Sequence, residues 1–448
     1  MKTQYTNILN RLDQIINDTA NHIHDFIDSK TAFTRKRKLD AATLIKTTLN
    51  MQGNCLEKEL LDAFEDNDKL MTVSAYVQQK SKLSPNCFYH ILNELNSSLF
   101  KVNRLNKRYR LFAIDGTDFN QAWNPKSKNI IGSASKEKSL CQVHLNVVYD
   151  LINNTYQDCV FQAKKKANER QAAVELLKGL DVSPFIVIMD RGYASFNMIE
   201  NCNRLHNCFY IIRSKSGQSA IKEVAVLPDK ECDFDVDCKV TSSTYYFMTH
   251  HREENIHLVT HKKKHYKKNL SKKTRNSDWD FEDICQIKFR ICKLKISDDG
   301  KEHWEILFTN LNRQEFPLSK MKALYHSRWG VETAFRKLKY DLGSVQFHSK
   351  QDRFVEMEIL AHMIMFNVVS QINAQAYTPQ KHCKHRYMIN FKMACIIIQK
   401  KYRTSSTDRA FKQILVLLSH YTVPIRPDRK DKRKLKTKSP ICFLYRVA

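Results

Sequence analysis

Three acidic residues stand where their chemistry could matter. Asp115-Gly116 closes the apolar run Arg110-Leu-Phe-Ala-Ile114, and Asp190-Arg191-Gly192 closes the run Phe185-Ile-Val-Ile-Met189. Glu332 lies in a proline-free stretch, Leu324 to Leu342, that also holds Tyr325, Arg328, Arg336 and Lys339. Carboxylates are hard oxygen donors suited to ions such as Mg²⁺. Three that converge can hold two such ions, which neutralise the attacking and leaving oxygens of a phosphodiester. Each motif also has a plainer use. Asp before Gly is ordinary turn chemistry, and Arg328 with Glu332 four residues on is an ordinary helix-surface ion pair. The residues acquire meaning only from the elements that hold them.

The stretch around Glu332 carries a helical period. At about 100° per residue counted from Tyr325, Arg328, Glu332, Lys339 and Arg336 fall at about −60°, −20°, −40° and +20°. Leu324, Val331, Phe335, Leu338 and Leu342 gather at about 220° to 280°. One stripe is apolar and packs; the adjoining one sets a single acid among cations, a layout suited to a metal ligand beside a phosphate backbone. The two Asp-terminated runs read as buried strands of an α/β sheet, in which the carboxyl ends of the strands are where ligands bind. If those strands are neighbours, their carboxylates converge, and the helix brings the third.

The rest of the chain divides by pattern. Residues 1–100 read as a helical region, with Leu9, Leu12, Ile15 and Ile16 and then Leu44, Ile45 and Leu49 at helical spacing. The basic run Arg35-Lys36-Arg37-Lys38 precedes a helix start at Asp40 and suits DNA. Residues 101–216 read as strand, hairpin, helix, strand, helix, strand, the first part of a mixed α/β core. Residues 217–300 read as a β-rich insertion with lysine-rich loops, and Thr244-Tyr-Tyr-Phe-Met248 reads there as a strand. Residues 301–373 return to the core with the Glu332 helix, and 374–448 form a helical, basic C-terminal region.

Bulk composition fits that division. The 448 residues are 42% hydrophobic, enough for a sizeable core, and 74 Lys plus Arg against 47 Asp plus Glu give a net charge of +27. Such an excess favours polyanions, nucleic acid first. The thirteen Cys show no repeated short spacing, as expected for free thiols in a reducing compartment. Cys202, His206 and Cys208, and likewise His382, Cys383 and His385, lack the paired spacing of a metal finger. The first residues have no apolar export segment, and Ile359–Ile372 is broken by His362, Asn367, Ser370 and Gln371. The expectation is a soluble cytoplasmic protein with no membrane span.

The order Asp-Gly-Thr, Asp-Arg-Gly-Tyr, then Tyr325-x2-Arg328-x3-Glu332-x6-Lys339 resembles the DDE transposases of bacterial insertion sequences, the insertion-sequence-four group with its YREK signature. All four signature positions match at the signature spacing, and the resemblance covers roughly residues 30 to 370. It implies a ribonuclease H-like mixed sheet with flanking helices, interrupted by the β-rich insertion. It implies that Asp115, Asp190 and Glu332 are catalytic and hold two Mg²⁺ ions, for which Mn²⁺ can substitute. Arg328, Lys339 and Arg336 would then hold phosphates, with Tyr325 orienting one. Trp304 stands where the family places a receptor for a flipped base, though a tryptophan on a core strand has the same appearance. Implied partners are double-stranded DNA, both terminal inverted repeats and target, and a second copy of the chain in a synaptic homodimer near the bacterial nucleoid. Two other readings remain: a DNA-binding protein derived from a transposase but catalytically silent, and a non-mobile nuclease with the same metal site.

Overall fold

Apolar residues at helical spacing and well-formed caps generate the N-terminal helices of this computed structural model. It describes residues 7–426 apart from 30, 36–37, 65–69, 99–101, 132–139, 183, 216–220, 253, 260–278, 299–300 and 380–384. Asn7 caps α1 (Ile8–Asn21) by accepting from the Leu9 and Asn10 amides, and Asp40 caps α2 (Ala41–Leu49) by accepting from Thr43 at 2.7 Å. α3 (Leu56–Phe64), α4 (Val73–Lys80) and α5 (Asn86–Ser97) follow. Their buried faces share one core with α11 (described below), so the helical region packs on the rest of the chain.

The strands follow in the order β1 (Arg110–Gln121), β2 (Ile130–Ile131), β3 (Leu140–Asp150), β4 (Thr155–Ala163), β5 (Phe185–Met189), β6 (Cys208–Ser214), β7 (Cys232–Thr241), β8 (Ile256–Leu258), β9 (Ile284–Asp298) and β10 (Lys301–Thr309). They form one ten-stranded sheet ordered β2-β3-β1-β5-β6-β10-β9-β7-β8, with β4 on β3. β1, β5 and β6 run parallel at its centre, flanked by antiparallel strands. The described strands of the stretch 217–300, β7, β8 and β9, extend the core sheet through β10. α6 (Glu169–Gly179) and α7 (Phe196–Arg204) cover one face. α9 (Leu318–His326), α10 (Trp329–Tyr340) and α11 (Asp352–Gln375) cover the other.

Three sequence expectations change. Thr244–Met248 is not a strand but part of α8 (Thr244–His250): Ser243 caps it, and the His250 ring stacks on Tyr246 one turn earlier at 4.2 Å. The Glu332 stretch is two helices rather than one. At Ser327-Arg328 the bonds shorten from Ser327 N–H to the Ala323 carbonyl, to Arg328 N–H to Tyr325 and Val331 N–H to Arg328. That is a 3₁₀ step, and it reorients Arg328 relative to a continuous α-helix. Finally, β1 does not end at Asp115 but continues to Gln121, held by β3 on its other side.

α11 is apolar all round because it is the central core helix; by length and composition it could cross a membrane, yet 89% of its apolar window is buried inside the protein. Beyond it, β11 (Tyr387–Ile389) and β12 (Thr422–Pro424) pair around α12 (Phe391–Thr404) and α13 (Asp408–His420). The basic tail from residue 427, together with Lys36, Arg37, His261, His382, Cys383 and the lysine run 262–273, lies outside the described residues.

Candidate active site

The parallel register of β1 on β5 pairs Ile114 with Met189, so Asp115 and Asp190 are the next residues on two neighbouring strands at the same sheet edge. Side chains alternate along β1, which puts Asp115 and Thr117 on the face covered by α10 and Gly116 and Asp118 on the other. The glycines following both acids are required. A Cβ on Gly116 would lie 2.7 Å from His144 Nε2, and one on Gly192 would lie 2.9 Å from Asp190 Oδ1. Without them, each acid accepts from the backbone that follows: Gly116 N–H reaches Asp115 at 2.9 Å, and Gly192 N–H reaches Asp190 at 2.7 Å. Arg170 of α6 fixes the second turn by donating to the carbonyls of Gly192 (2.8 Å) and Ala194 (3.3 Å).

Glu332 arrives on the first turn of α10, whose Val331, Ala334, Phe335 and Leu338 are buried against the sheet. Arg328 joins it to the strands. Its guanidinium donates to Glu332 at 2.7 Å and to Asp115 at 3.2 Å, with only 9% of its side chain exposed. The helix-surface ion pair is therefore half of a bridge between helix and sheet. Burial, reinforced by the negative charges of Asp190 and Glu332, pushes the Asp115 carboxyl from its ordinary 3.8 up to about 6, against the opposing pull of Arg328 and the Gly116 amide. Lys339, two turns further along α10, donates to Thr117 Oγ1 (2.6 Å) and to the Asp118 carbonyl (2.9 Å).

The other residues singled out from the sequence separate. Tyr325 is buried, and burial pushes its phenol up while the charges of Arg328 and Arg213 pull it down. Arg336 is exposed, its charge felt at Lys337 and Asp341 rather than at the acids. Trp304 is half-buried on the part of β10 that runs past the end of β6, on the same sheet edge as the acids. Its indole donates to Asp229 at 2.7 Å and the Lys293 ammonium lies 4.4 Å from its ring centre. Arg35 is exposed and far along the chain, lining a groove of about 980 Å³ with Phe33, Lys38 and Lys82. Cys202 and Cys208 are buried together without His206, which meets Asn207.

Two groups beside the acids escaped the sequence reading. On the opposite face of β1, buried His144 meets Asp118 at 2.6 Å and Glu169 at 3.3 Å, and Lys164 meets Asp118 at 2.7 Å. Burial works against the His144 cation, but its two carboxylate partners raise its pKa on balance. Next to Tyr325, buried Glu305 meets Arg213 at 3.3 Å and His326 at 3.9 Å. The available signal was polar residues within otherwise apolar strands, His144 and Asn146 in β3 and Glu305 in β10.

A family model for the transposase DDE domain matches residues 106–368, more than half of the chain and the whole span from Asp115 to Glu332. The chain belongs to the transposase DDE domain family. Among solved structures it is similar to a piggyBac transposase in a synaptic complex with hairpin DNA, determined by cryo-electron microscopy. That match has 9% identity and a TM-score of 0.42, over 92% of this chain and 79% of the other. No curated protein matches the sequence. Transposases of this family generally use divalent metal ions, and the donor set fits such ions. Three carboxylates share a partly buried site that raises the proton affinity of one of them, and the Arg328 guanidinium already supplies a cation between Asp115 and Glu332.

Proposed function

We propose that this transposase acts on DNA by cut-and-paste transposition, with Asp115, Asp190 and Glu332 holding two Mg²⁺ ions, in the manner of the insertion-sequence-four group and its YREK signature. The observation that carries the reading is the register of β1 on β5, which sets two carboxylates side by side, together with the Arg328 bridge that ties Glu332 to them. Divalent ions bound there supply neutralisation of charge on the attacking and leaving oxygens. Asp115, Asp190 and Glu332 would hold the ions, the roles that the resemblance to that group assigns to them.

The chain's own groups do the positioning. Arg328, paired with Glu332 and Asp115, would be released to a DNA phosphate once cations neutralise the acids, a role for which its planar, doubly donating guanidinium is suited. Lys339, seated on Thr117, holds a second phosphate of the transposon end. The Gly192 turn keeps Asp190 from swinging away, through its own amide and Arg170. The substrates are the terminal inverted repeats of the element and then target DNA, with water and afterwards the freed 3′-OH as nucleophiles. The ribonuclease H-like core is residues 101–216 with 301–373, and residues 1–100 with Arg35, Lys36 and Arg37 contribute end binding. Two copies of the chain act on paired ends in the bacterial cytoplasm.

The test is Glu332→Gln in a nicking assay on the element's own ends with Mg²⁺ or Mn²⁺. The expected result is loss of nicking with end binding retained in a gel-shift measurement. A variant that still cuts removes Glu332 from the site. Cleavage by the unaltered protein without joining would make it a nuclease rather than a cut-and-paste enzyme.

A further inference from the structure

The sheet margin farthest from the catalytic acids gathers another set of donors. In the 3₁₀ turn Lys222–Val226, Glu223 faces two strands; Cys238 lies on β7 and His257 on β8. The parallel register sets Val240 opposite His257, so Cys238, two residues before Val240, shares its face. A carboxylate oxygen, an imidazole nitrogen and a thiol sulfur from these three residues all lie within 4.8 Å of one another. The side chains of Glu223 and His257 are 15% and 5% exposed, and Cys238 is 1% exposed.

A buried His–Glu ion pair explains part of this. His257 Nε2 meets Glu223 Oε1 at 2.8 Å, and Asn255 donates to the same oxygen at 3.1 Å. It does not explain Glu223 Oε2, which is buried and has no hydrogen-bond partner among the described residues. Buried carboxylate oxygens normally find a partner, and this one stands beside a buried thiol and an imidazole, within reach of a shared ligand. From these residues we propose that Glu223, Cys238 and His257 bind a zinc ion, with its fourth position left to water. One N, one O and one S donor suit zinc, which tolerates mixed ligands, and do not suit Mg²⁺, which takes oxygens. As zinc binds, the proton that His257 shares with Glu223 moves to the other ring nitrogen or to solvent, and the Cys238 proton leaves to solvent as the thiolate forms. Because the thiolate is the ligand, zinc uptake releases a proton and weakens as pH falls.

The ion has a mechanical role. β8 is a three-residue strand at the end of the sheet and, among the described residues, pairs only with β7. Such a strand is weakly held by its ladder alone. Zinc pins it to β7 and to the 3₁₀ turn, and so anchors the chain entering the lysine-rich sequence after Leu258. This site is separate from the catalytic acids and does not depend on how they act.

The experiment is metal analysis of the full chain purified without chelator, beside Cys238→Ser, His257→Gln and Asp115→Asn. The expected result is about one zinc ion per chain in the parent and in Asp115→Asn, and loss of zinc in the other two. Cobalt exchanged into the parent should give a sulfur-to-metal charge-transfer band that Cys238→Ser lacks. Because that band is read in the parent, poor folding of a variant does not leave the question open. Folded parent protein with neither stoichiometric zinc nor the cobalt–thiolate band overturns the proposal. So does zinc that follows Asp115 instead of Cys238.

Discussion

Replacing Asp115 by Asn should make the metal-free protein more stable while ending its activity. Burial and the neighbouring acids raise the Asp115 carboxyl from 3.8 to about 6 even with Arg328 beside it. At about 1.4 kcal/mol per pKa unit, a rise of about two units means that ionised Asp115 costs the fold about 3 kcal/mol. The sign follows from proton counts. Between 3.8 and about 6 the folded chain binds more protons than the unfolded one, so stability falls as pH rises through that window. Above it the loss is complete. Asn carries no charge, so the variant's advantage should be full near neutral pH and vanish as pH falls to the ordinary carboxylate range. The assay is urea or thermal unfolding of both proteins across that range, in chelator and then with Mg²⁺. Added Mg²⁺ should stabilise the parent and leave the variant nearly unchanged, because the ion relieves the charge that Asn has removed. A variant no more stable than the parent at neutral pH, or equally more stable in acid, refutes the electrostatic account of the site.

The remaining expectations concern residues around that site and the core. Gly116→Ala drives a methyl group into His144, which is buried and bonded to Asp118, so it should cost about 1–3 kcal/mol by overpacking and lower nicking by displacing Asp115, read by unfolding and by the end-nicking assay. Glu358→Gln breaks a buried cluster in which Lys80 meets Glu358 at 3.1 Å and His348 meets it at 3.1 Å, and should lower stability by about 3–5 kcal/mol in denaturant unfolding. Despite burial, Lys80 and His348 hold the Glu358 carboxyl far below its usual range, so its contribution should survive mild acid and disappear only at strongly acidic pH. Trp304→Leu should leave end binding and the first nick intact but slow the step that needs a base out of the stack, at roughly 1–3 kcal/mol for a lost stacking partner; equal slowing of both steps would place Trp304 in the strand's packing alone.

Much of the architecture was legible because it is written in local period and in caps. The apolar runs ending at Met189 and Ile212 are strands, the helix expected between them and the hairpin is α6, and the apolar stripe Val331, Phe335, Leu338, Leu342 is buried. What was not legible depends on partners distant in sequence. Asp115 looked like a strand end because its apolar run stops there, yet β3 carries β1 six residues further. Tyr245 to Met248 has strand composition, but rings stacked one turn apart and a serine cap make it helical. The break before Trp329 is announced only by Gly330, whose amide bonds back to Ser327, and a single glycine within a helical period is a weak signal. His144 and Glu305 escaped because a polar residue in a strand reveals its importance only when the facing strand is known.

That break at Ser327-Arg328 ties the fold to the proposed chemistry. Three carboxylates at a partly buried sheet edge repel one another, and a fold that must exist before it meets metal or DNA needs a positive charge among them. Arg328 meets that need from the residue immediately before α10, where the tightened turn sets its guanidinium between Asp115 and Glu332 rather than alongside Glu332 alone. A lysine there could satisfy one acid but not both in the same plane, since its charge is a point rather than a fork. Because the contact to Asp115 is the longer and the Glu332 side chain is 34% exposed, the bridge is firm enough to hold the acids together and open enough to be exchanged. Under the proposed function, divalent ions at the acids would free that guanidinium for a phosphate, so the residue that holds the fold together is also the one available to the substrate.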